Sequence, residues 1–254
     1  MNNQQDSIQL IAKWLAESKK TVIFTGAGIS TESGIPDFRS PGGIWTKYRT
    51  VYFDEFMESA DARHEYWQQK CEGHRDFADA APNTGHNIIA KWEAEELTCG
   101  VITQNIDGLH TIAGSREVLE LHGTARQIKC MDCEAMFDVG PMVDEFLETD
   151  SVPACPQCKT GRLKHATVSF GQSLPPDVLQ KAYQWCRDAD LILALGSSLV
   201  VTPAADLPVT VKKYGGRVMI INRDETGLDE IADVKLSGSI GETLTEIDQA
   251  IQTR

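Results

Sequence analysis

Apolar residues recur along this chain in two alternating rhythms. Short continuous runs at 21–25, 100–103, 118–121, 191–195, 217–221 and 234–236 predict buried β-strands, bounded by glycine or small polar residues. Between them, apolar positions three and four apart predict helices. One carries Ile8, Ile11, Ala12 and Leu15, a second Ile88, Ile89 and Trp92. A third carries Val178, Leu179, Ala182 and Trp185 after Pro175-Pro176, and the last Ile240, Leu244, Ile247 and Ile251. Asp6 and Gln9 read as the capping pair that opens the first helix. Strands alternating with helices predict an α/β fold built on a doubly wound parallel sheet.

Two stretches interrupt that rhythm. Residues 31–81 have helical and loop composition without a clear strand, and residues 123–163 hold paired cysteines. Both read as insertions that form a second, smaller domain. The sheet domain then comprises 1–30, 82–122 and 164–254, and the smaller one a helical module (31–81) and a metal-binding module (123–163). The chain shows no internal repeat and no low-complexity segment.

The 254 residues allow one large domain plus a smaller module, and 41% hydrophobic content is that of an ordinary globular protein. Against 24 basic residues stand 37 acidic ones, a formal net charge of −13. Such a surface repels phosphate backbones and disfavours a nucleic-acid partner, while attracting basic ones such as lysine-rich peptides. The opening MNNQQDSIQL lacks the basic-then-apolar order of a secretory signal. No apolar run approaches the roughly 20 residues of a membrane span. We therefore expect a cytoplasmic protein with no membrane partner; the sequence leaves its oligomeric state open.

In an open parallel sheet, ligands gather beyond the carboxyl ends of the strands. Five strand ends here carry groups suited to ribose and phosphate: Gly26-Ala27-Gly28, Gln104-Asn105-Ile106-Asp107-Gly108, His122-Gly123, Gly196-Ser197-Ser198 and Asn222-Arg223-Asp224. Turn formers at strand ends account for each of these singly. The first is half of a dinucleotide fingerprint, with Thr31 where a third glycine would stand. His122 is either a packed, hydrogen-bonded histidine or a general base, the role its ordinary pKa near 6.5 suits. Asn105 and Asp107 either cap a turn or orient a water or a ribose hydroxyl.

Cys130-x-x-Cys133 and Cys155-x-x-Cys158 are separated by 21 residues, close to zinc-ribbon spacing. Four thiolates at tetrahedral geometry make a closed structural zinc site with no open position for catalysis. Redox-active pairs would need a thioredoxin-like context that is absent. Of the seven cysteines, Cys99 and Cys186 lie in apolar surroundings and read as packed thiols, and Cys71 has no functional reading.

Longer blocks carry a resemblance. GAGISTESGIPDFRS at 26–40, PNTGH at 82–86, TQNIDGLH at 103–110 and LHG at 121–123 are similar to signature blocks of the sirtuin family of NAD-dependent protein deacylases. VSFGQ at 168–172, GSSLVVTPAA at 196–205 and IINRDET at 220–226 resemble further blocks in the same order, so the likeness covers nearly the whole chain.

This resemblance implies a Rossmann-like domain with NAD held between it and a smaller domain made of a zinc ribbon and a helical insertion. The implied NAD contacts are Gly26, Ala27, Gly28, Thr31, Asp37, Phe38, Arg39, Gln104, Asn105, Ile106, Asp107, Gly196, Ser197, Ser198, Asn222, Arg223, Asp224 and Ile240. Val168 and Phe170 would line the path of an acyl-lysine from a protein or peptide. Asn105 and Asp107 would serve the pocket where nicotinamide is cleaved, as the acyl oxygen attacks the anomeric carbon. His122 would then deprotonate a ribose hydroxyl, so that the acyl group passes to ADP-ribose and free lysine leaves. The same scaffold could instead run a mono-ADP-ribosyltransferase or an NAD glycohydrolase, neither of which needs that base.

The chain departs from the family beside the peptide cleft. Lys164-His165-Ala166-Thr167 replaces a common arginine–proline pair, and Gln172 replaces a glutamate. Members that prefer succinyl or malonyl lysine carry a Tyr-x-x-Arg pair, whereas Tyr66 is followed three positions on by Gln69. Without that guanidinium, acidic acyl groups are disfavoured, with Lys70 and Arg63 the nearest alternative cations.

Overall fold

The computed structural model describes residues 2–37 and 48–253 of the chain. The predicted strands form one six-stranded sheet: β1 (Thr21–Thr25), β2 (Val101–Thr103), β3 (Val118–Glu120), β7 (Leu191–Leu195), β8 (Arg217–Ile221) and β9 (Val234–Leu236). Their spatial order is β3-β2-β1-β7-β8-β9, and every neighbouring pair is parallel. Strand order reverses between β1 and β7, which is where a doubly wound sheet opens a crevice for a ligand.

Alternate residues of one strand enter opposite cores, and this is why the strands read as unbroken apolar runs. Ile23 packs with Ile8, Ile11 and Leu15 of α1 (Asn2–Glu17), with α4 (Thr84–Ala94) and with α9 (Ile240–Gln252). Val22 and Phe24 face the other way, against α7 (Pro176–Asp188) and α8 (Asp206–Lys213). Asp248 of α9 ties the first layer together, accepting from Lys91 Nζ at 2.7 Å and Trp92 Nε1 at 2.9 Å. Cys186 and the half-buried Cys99 belong to the second core, as packed thiols.

The first helix begins at Asn2, so Asp6 lies inside it and does not cap it. No glycine or proline separates Asn2 from Asp6, so the backbone continues the helix through the capping signal.

A three-stranded antiparallel sheet, β5-β4-β6, lies outside this frame: β4 (Gly123–Cys130), β5 (Met136–Asp138) and β6 (Leu163–Thr167). It packs with α2 (Phe53–Glu58), α3 (Ala60–Ala78) and α6 (Val139–Thr149) around a third core that includes Phe56, Trp67, Ile128, Phe146 and Leu163. Trp67 Nε1 donates to the Leu163 carbonyl at 2.8 Å, joining α3 to β6. Cys71 is buried in this core, and burial pushes its thiol up to about 11. Among the described residues no helix is long and apolar enough to cross a membrane.

Candidate active site

Gly26 and Gly28 leave β1 where β7 ends, and the two loops pass through each other's side-chain space. A Cβ on Gly26 would sit 2.7 Å from the Gly196 carbonyl oxygen, and one on Gly28 would sit 2.7 Å from Gly196 Cα. Gly196 itself has φ +62°, a conformation open to glycine. Gly28 N–H donates to Gly196 O at 2.8 Å, locking the crossing. Beyond it, residues Ala27–Ser33 form a 3-10 turn. Thr31, in place of a third glycine, donates its hydroxyl to Gly28 O at 2.9 Å.

The crest of the sheet opens into one cleft of about 1120 Å³, in which the strand-end residues Ala27, Gly28, Thr31, Gln104, Asn105, Ile106 and His122 meet. Gly196, Ser197, Ser198, Asn222, Arg223, Asp224, Ile240 and Asp37 line it too, and Val168 and Phe170 border its other side. Two predicted residues stand behind the cleft: Gly26 at the loop crossing and Asp107, which is 4% exposed. Phe38 and Arg39 lie outside the described residues.

Hydrogen bonds fix the crest from within. Gln104 N–H donates to Thr25 O at 2.9 Å, and Ser197 Oγ donates to Gln104 Oε1 at 2.7 Å. His122 Nδ1 lies 2.9 Å from the Gln104 carbonyl oxygen. A carbonyl can only accept, so Nδ1 carries the proton and Nε2 keeps a lone pair. Burial holds the His122 pKa below its ordinary 6.5, and the Gln104 carbonyl opposes that shift. At neutral pH the ring is therefore an uncharged base. The His122 carbonyl in turn accepts from Val168 N–H at 2.8 Å, so one backbone bond joins the base to the opposite wall.

Sequence reading missed Ser30. Its Oγ accepts from Asn105 Nδ2 at 3.0 Å and donates to Asp107 Oδ2 at 2.7 Å. Asp107 Oδ1 also accepts from Leu109 N–H at 2.9 Å, the first amide of the short helix α5 (Leu109–Ile112). Behind this lie two buried histidines, His86 and His110, their ring centroids 4.8 Å apart. Burial lowers them to about 4 and about 3, so both are neutral and add no charge behind the crest. Ser30 lies within the GAGIS block, so the block marked the place but not the contact. Glu120, also missed, is pushed up to about 7 by burial and then by the charge of Asp107, with Arg126 opposing.

In the ribbon, the Cys130 and Cys158 sulfurs lie 3.8 Å apart, those of Cys133 and Cys155 3.7 Å, and all four within 4.8 Å of one another. Zinc with Zn–S bonds of about 2.3 Å at tetrahedral angles needs sulfurs about 3.8 Å apart. The four thiols fit a closed structural zinc site.

Comparison with known proteins decides the family. A sequence model of the Sir2 family matches residues 26–203. The chain belongs to the Sir2 family, the sirtuins. An NAD-dependent protein deacetylase of Rhodopseudomonas palustris is 43% identical over 239 residues, covering 93% of this chain and 94% of the relative. NAD-dependent protein deacylase 2 of Archaeoglobus fulgidus is 40% identical over 98% of this chain and 97% of its own. Among solved sirtuin structures, a complex of Sir2 with a p53 peptide and NAD+ superposes with a TM-score of 0.89 at 37% identity, covering 97% of this chain and 99% of that one. A Sir2 enzyme bound to a propionylated peptide gives 0.86 at 37% identity, covering 96% and 99%.

Proposed function

We propose that this sirtuin removes acyl groups, acetyl above all, from protein lysines, with NAD as the co-substrate. The observation that carries this reading is His122: an uncharged imidazole on the cleft, its tautomer set by the Gln104 carbonyl and its Nε2 left basic. The names of the relatives and the peptide-bound neighbours support the substrate class.

In this reading the dinucleotide lies along the crest of the six-stranded sheet, between it and the module of residues 31–81 and 123–163. Ala27, Thr31, Gln104, Ser197 and Asn222 hold it. Bound NAD supplies an electrophilic ribose carbon once nicotinamide departs. Asn105 and Asp107, joined through Ser30, hold the pocket in which that departure occurs. Val168 and Phe170 steer the acyl-lysine so that its carbonyl oxygen meets the ribose carbon. His122 Nε2 takes the proton of a neighbouring ribose hydroxyl, freeing that oxygen to capture the acyl carbon. The amine takes up the proton that His122 had accepted and leaves as free lysine; a water then adds to the acyl carbon, so that the acyl group remains as an ester on ADP-ribose and the former acyl oxygen becomes its anomeric hydroxyl. Zinc, closed off by four thiolates, holds the ribbon that carries β6 toward this wall. Paired thiolates of this kind suit a reducing compartment, and a cytoplasmic location is part of the proposal.

The test is stoichiometry. Incubated with NAD and an acetylated peptide, the protein releases one nicotinamide per free lysine. Nicotinamide release that ignores the peptide would instead identify an NAD glycohydrolase.

A further inference from the structure

Behind the crest, a chain of buried hydrogen bonds runs from His110 to the backbone of Asn105. His110, on α5, is 1% exposed, and its Nε2 lies 2.9 Å from Thr25 Oγ1 at the end of β1. Thr25 Oγ1 donates to Thr103 Oγ1 at 2.8 Å, across the parallel pair β1 and β2. Thr103 Oγ1 accepts in turn from Asn105 N–H at 3.0 Å. Thr25, Thr103 and Asn105 are buried as well, so water does not compete for these bonds.

Proton counting sets the direction of the chain. A hydroxyl has one proton to give, and Thr25 gives its own to Thr103. Thr25 therefore accepts from His110, whose Nε2 carries the ring proton and whose Nδ1 is bare. This tautomer is opposite to that of His122. Burial holds His110 at about 3, so at neutral pH the ring is an uncharged donor. Its Nδ1 has no partner among the described residues, and the ring stands edge-on to His86. Burying an imidazole with one nitrogen unpaired costs stability that an apolar side chain would not lose. The hydrogen bond that the ring does make points at the crest.

Threonine offers an oxygen and a methyl group of similar size, so packing alone does not decide which of them faces Asn105. The proton from Thr25 keeps the Thr103 oxygen there. Ser30 then holds the Asn105 side chain, and the chain from His110 holds its backbone. His110 itself does not line the cleft.

We propose that His110 is a positioning residue for nicotinamide cleavage. Its Nε2–H, acting through the Thr25 and Thr103 hydroxyls, fixes the Asn105 backbone and so aims the Asn105 carboxamide into the pocket from which nicotinamide departs. This assignment rests on the deacylase reading above and deepens it.

The experiment follows nicotinamide release with NAD and an acetylated peptide, alongside calorimetric binding of ADP-ribose. In His110→Leu, kcat falls roughly tenfold, the worth of one buried hydrogen bond, while ADP-ribose affinity stays within about twofold. His110→Gln restores a side-chain N–H donor and recovers most of the loss. Thr25→Val lowers kcat by a similar factor, and the double variant His110→Leu/Thr25→Val is no slower than the slower single one, since the two act in series. The acid limb of the pH profile persists in all of them. Should His110→Leu fail to fold, Thr25→Val against Thr25→Ser makes the same comparison: serine keeps the hydroxyl and the rate, and valine loses both.

A folded His110→Leu with full kcat overturns the assignment. So does a loss that His110→Gln does not recover, or one that multiplies with the loss in Thr25→Val, because the ring is then a packing element. A parallel fall in ADP-ribose affinity overturns it too, as does disappearance of the acid limb in His110→Leu, which would make His110 the titrating base. All of these leave the deacylase reading standing. If the unaltered protein turns over no acylated peptide, both fall.

Discussion

The Ser30 hydroxyl donates to Asp107 Oδ2 at 2.7 Å while accepting from Asn105 Nδ2 at 3.0 Å, so a single oxygen sets the positions of two polar side chains at the crest. All three are buried. Replacing Ser30 by Ala leaves a carboxylate oxygen and an amide proton each short of a partner, at about 1–3 kcal/mol. Ser30→Ala should lower kcat/KM for NAD-dependent deacetylation by roughly 10- to 100-fold while the protein stays folded. Steady-state nicotinamide release, with circular dichroism as the folding control, checks this.

His122 sets the acid side of the activity profile. Its pKa is lowered from 6.5 by burial, so the ring stays a neutral base at pH 7 and gains a proton only in more acidic solution. The acid limb of kcat/KM should therefore have its midpoint below pH 6.5. His122→Ala should abolish that limb and cut deacylation by roughly 100-fold or more, the usual contribution of a general base. An unchanged limb in the variant would assign the titration to another group.

Glu120 has a folded-state pKa near 7 against an ordinary 4.5. Above pH 7 the folded protein holds a largely buried charge that unfolding releases to water, whereas below pH 4.5 neither state carries it. Stability from this group is thus complete at low pH and is lost as pH rises through 7. Glu120→Gln should stabilise by about 1–2 kcal/mol at pH 8, after allowance for solvent screening, with the gain fading toward pH 4.5. Urea unfolding at the two pH values measures the difference.

Removing the metal should unmake the ribbon. β5 is short, and β4 and β5 are largely exposed or half-buried, so the thiolate cluster adds to the small core that holds this end of the sheet. Purified protein should contain one zinc per four-cysteine cluster by elemental analysis. A strong chelator, or Cys155→Ser, should lower the melting temperature and the β-sheet circular dichroism signal.

Gly196→Ala tests the loop crossing. At φ +62°, its added Cβ would lie 2.5 Å from Ile29 N and 2.7 Å from Gly28 C, both backbone atoms with little room to move. Strain and clash together should cost on the order of 2–4 kcal/mol in denaturant unfolding.

Much of this was legible in the linear chain because the relevant physics is local or periodic. The runs at 21–25, 191–195 and 217–221 became strands with those bounds, since a strand buried on both faces needs apolar residues at every position. The four cysteines announced their cluster by spacing, because a metal clip needs only two short turns brought together. Less legible were β4 and β6, whose GTARQIKC and LKHAT sequences mix charge with small residues and owe their pairing to the ribbon. Helices α6 and α8 also went unread; α8 carries Pro208, which masks its period.

Sequence alone determined the layered sheet, the strand ends that bear chemistry, the metal clip and the family, since each is written in neighbouring residues. Only the tertiary structure decided that Ser30 bridges Asn105 to Asp107, that the Gln104 carbonyl chooses the His122 tautomer, and that Lys70 meets Lys164 across one phenol ring. Those contacts join residues 18 to 94 positions apart, and no local propensity or period encodes a distance closed only when helices and sheets pack.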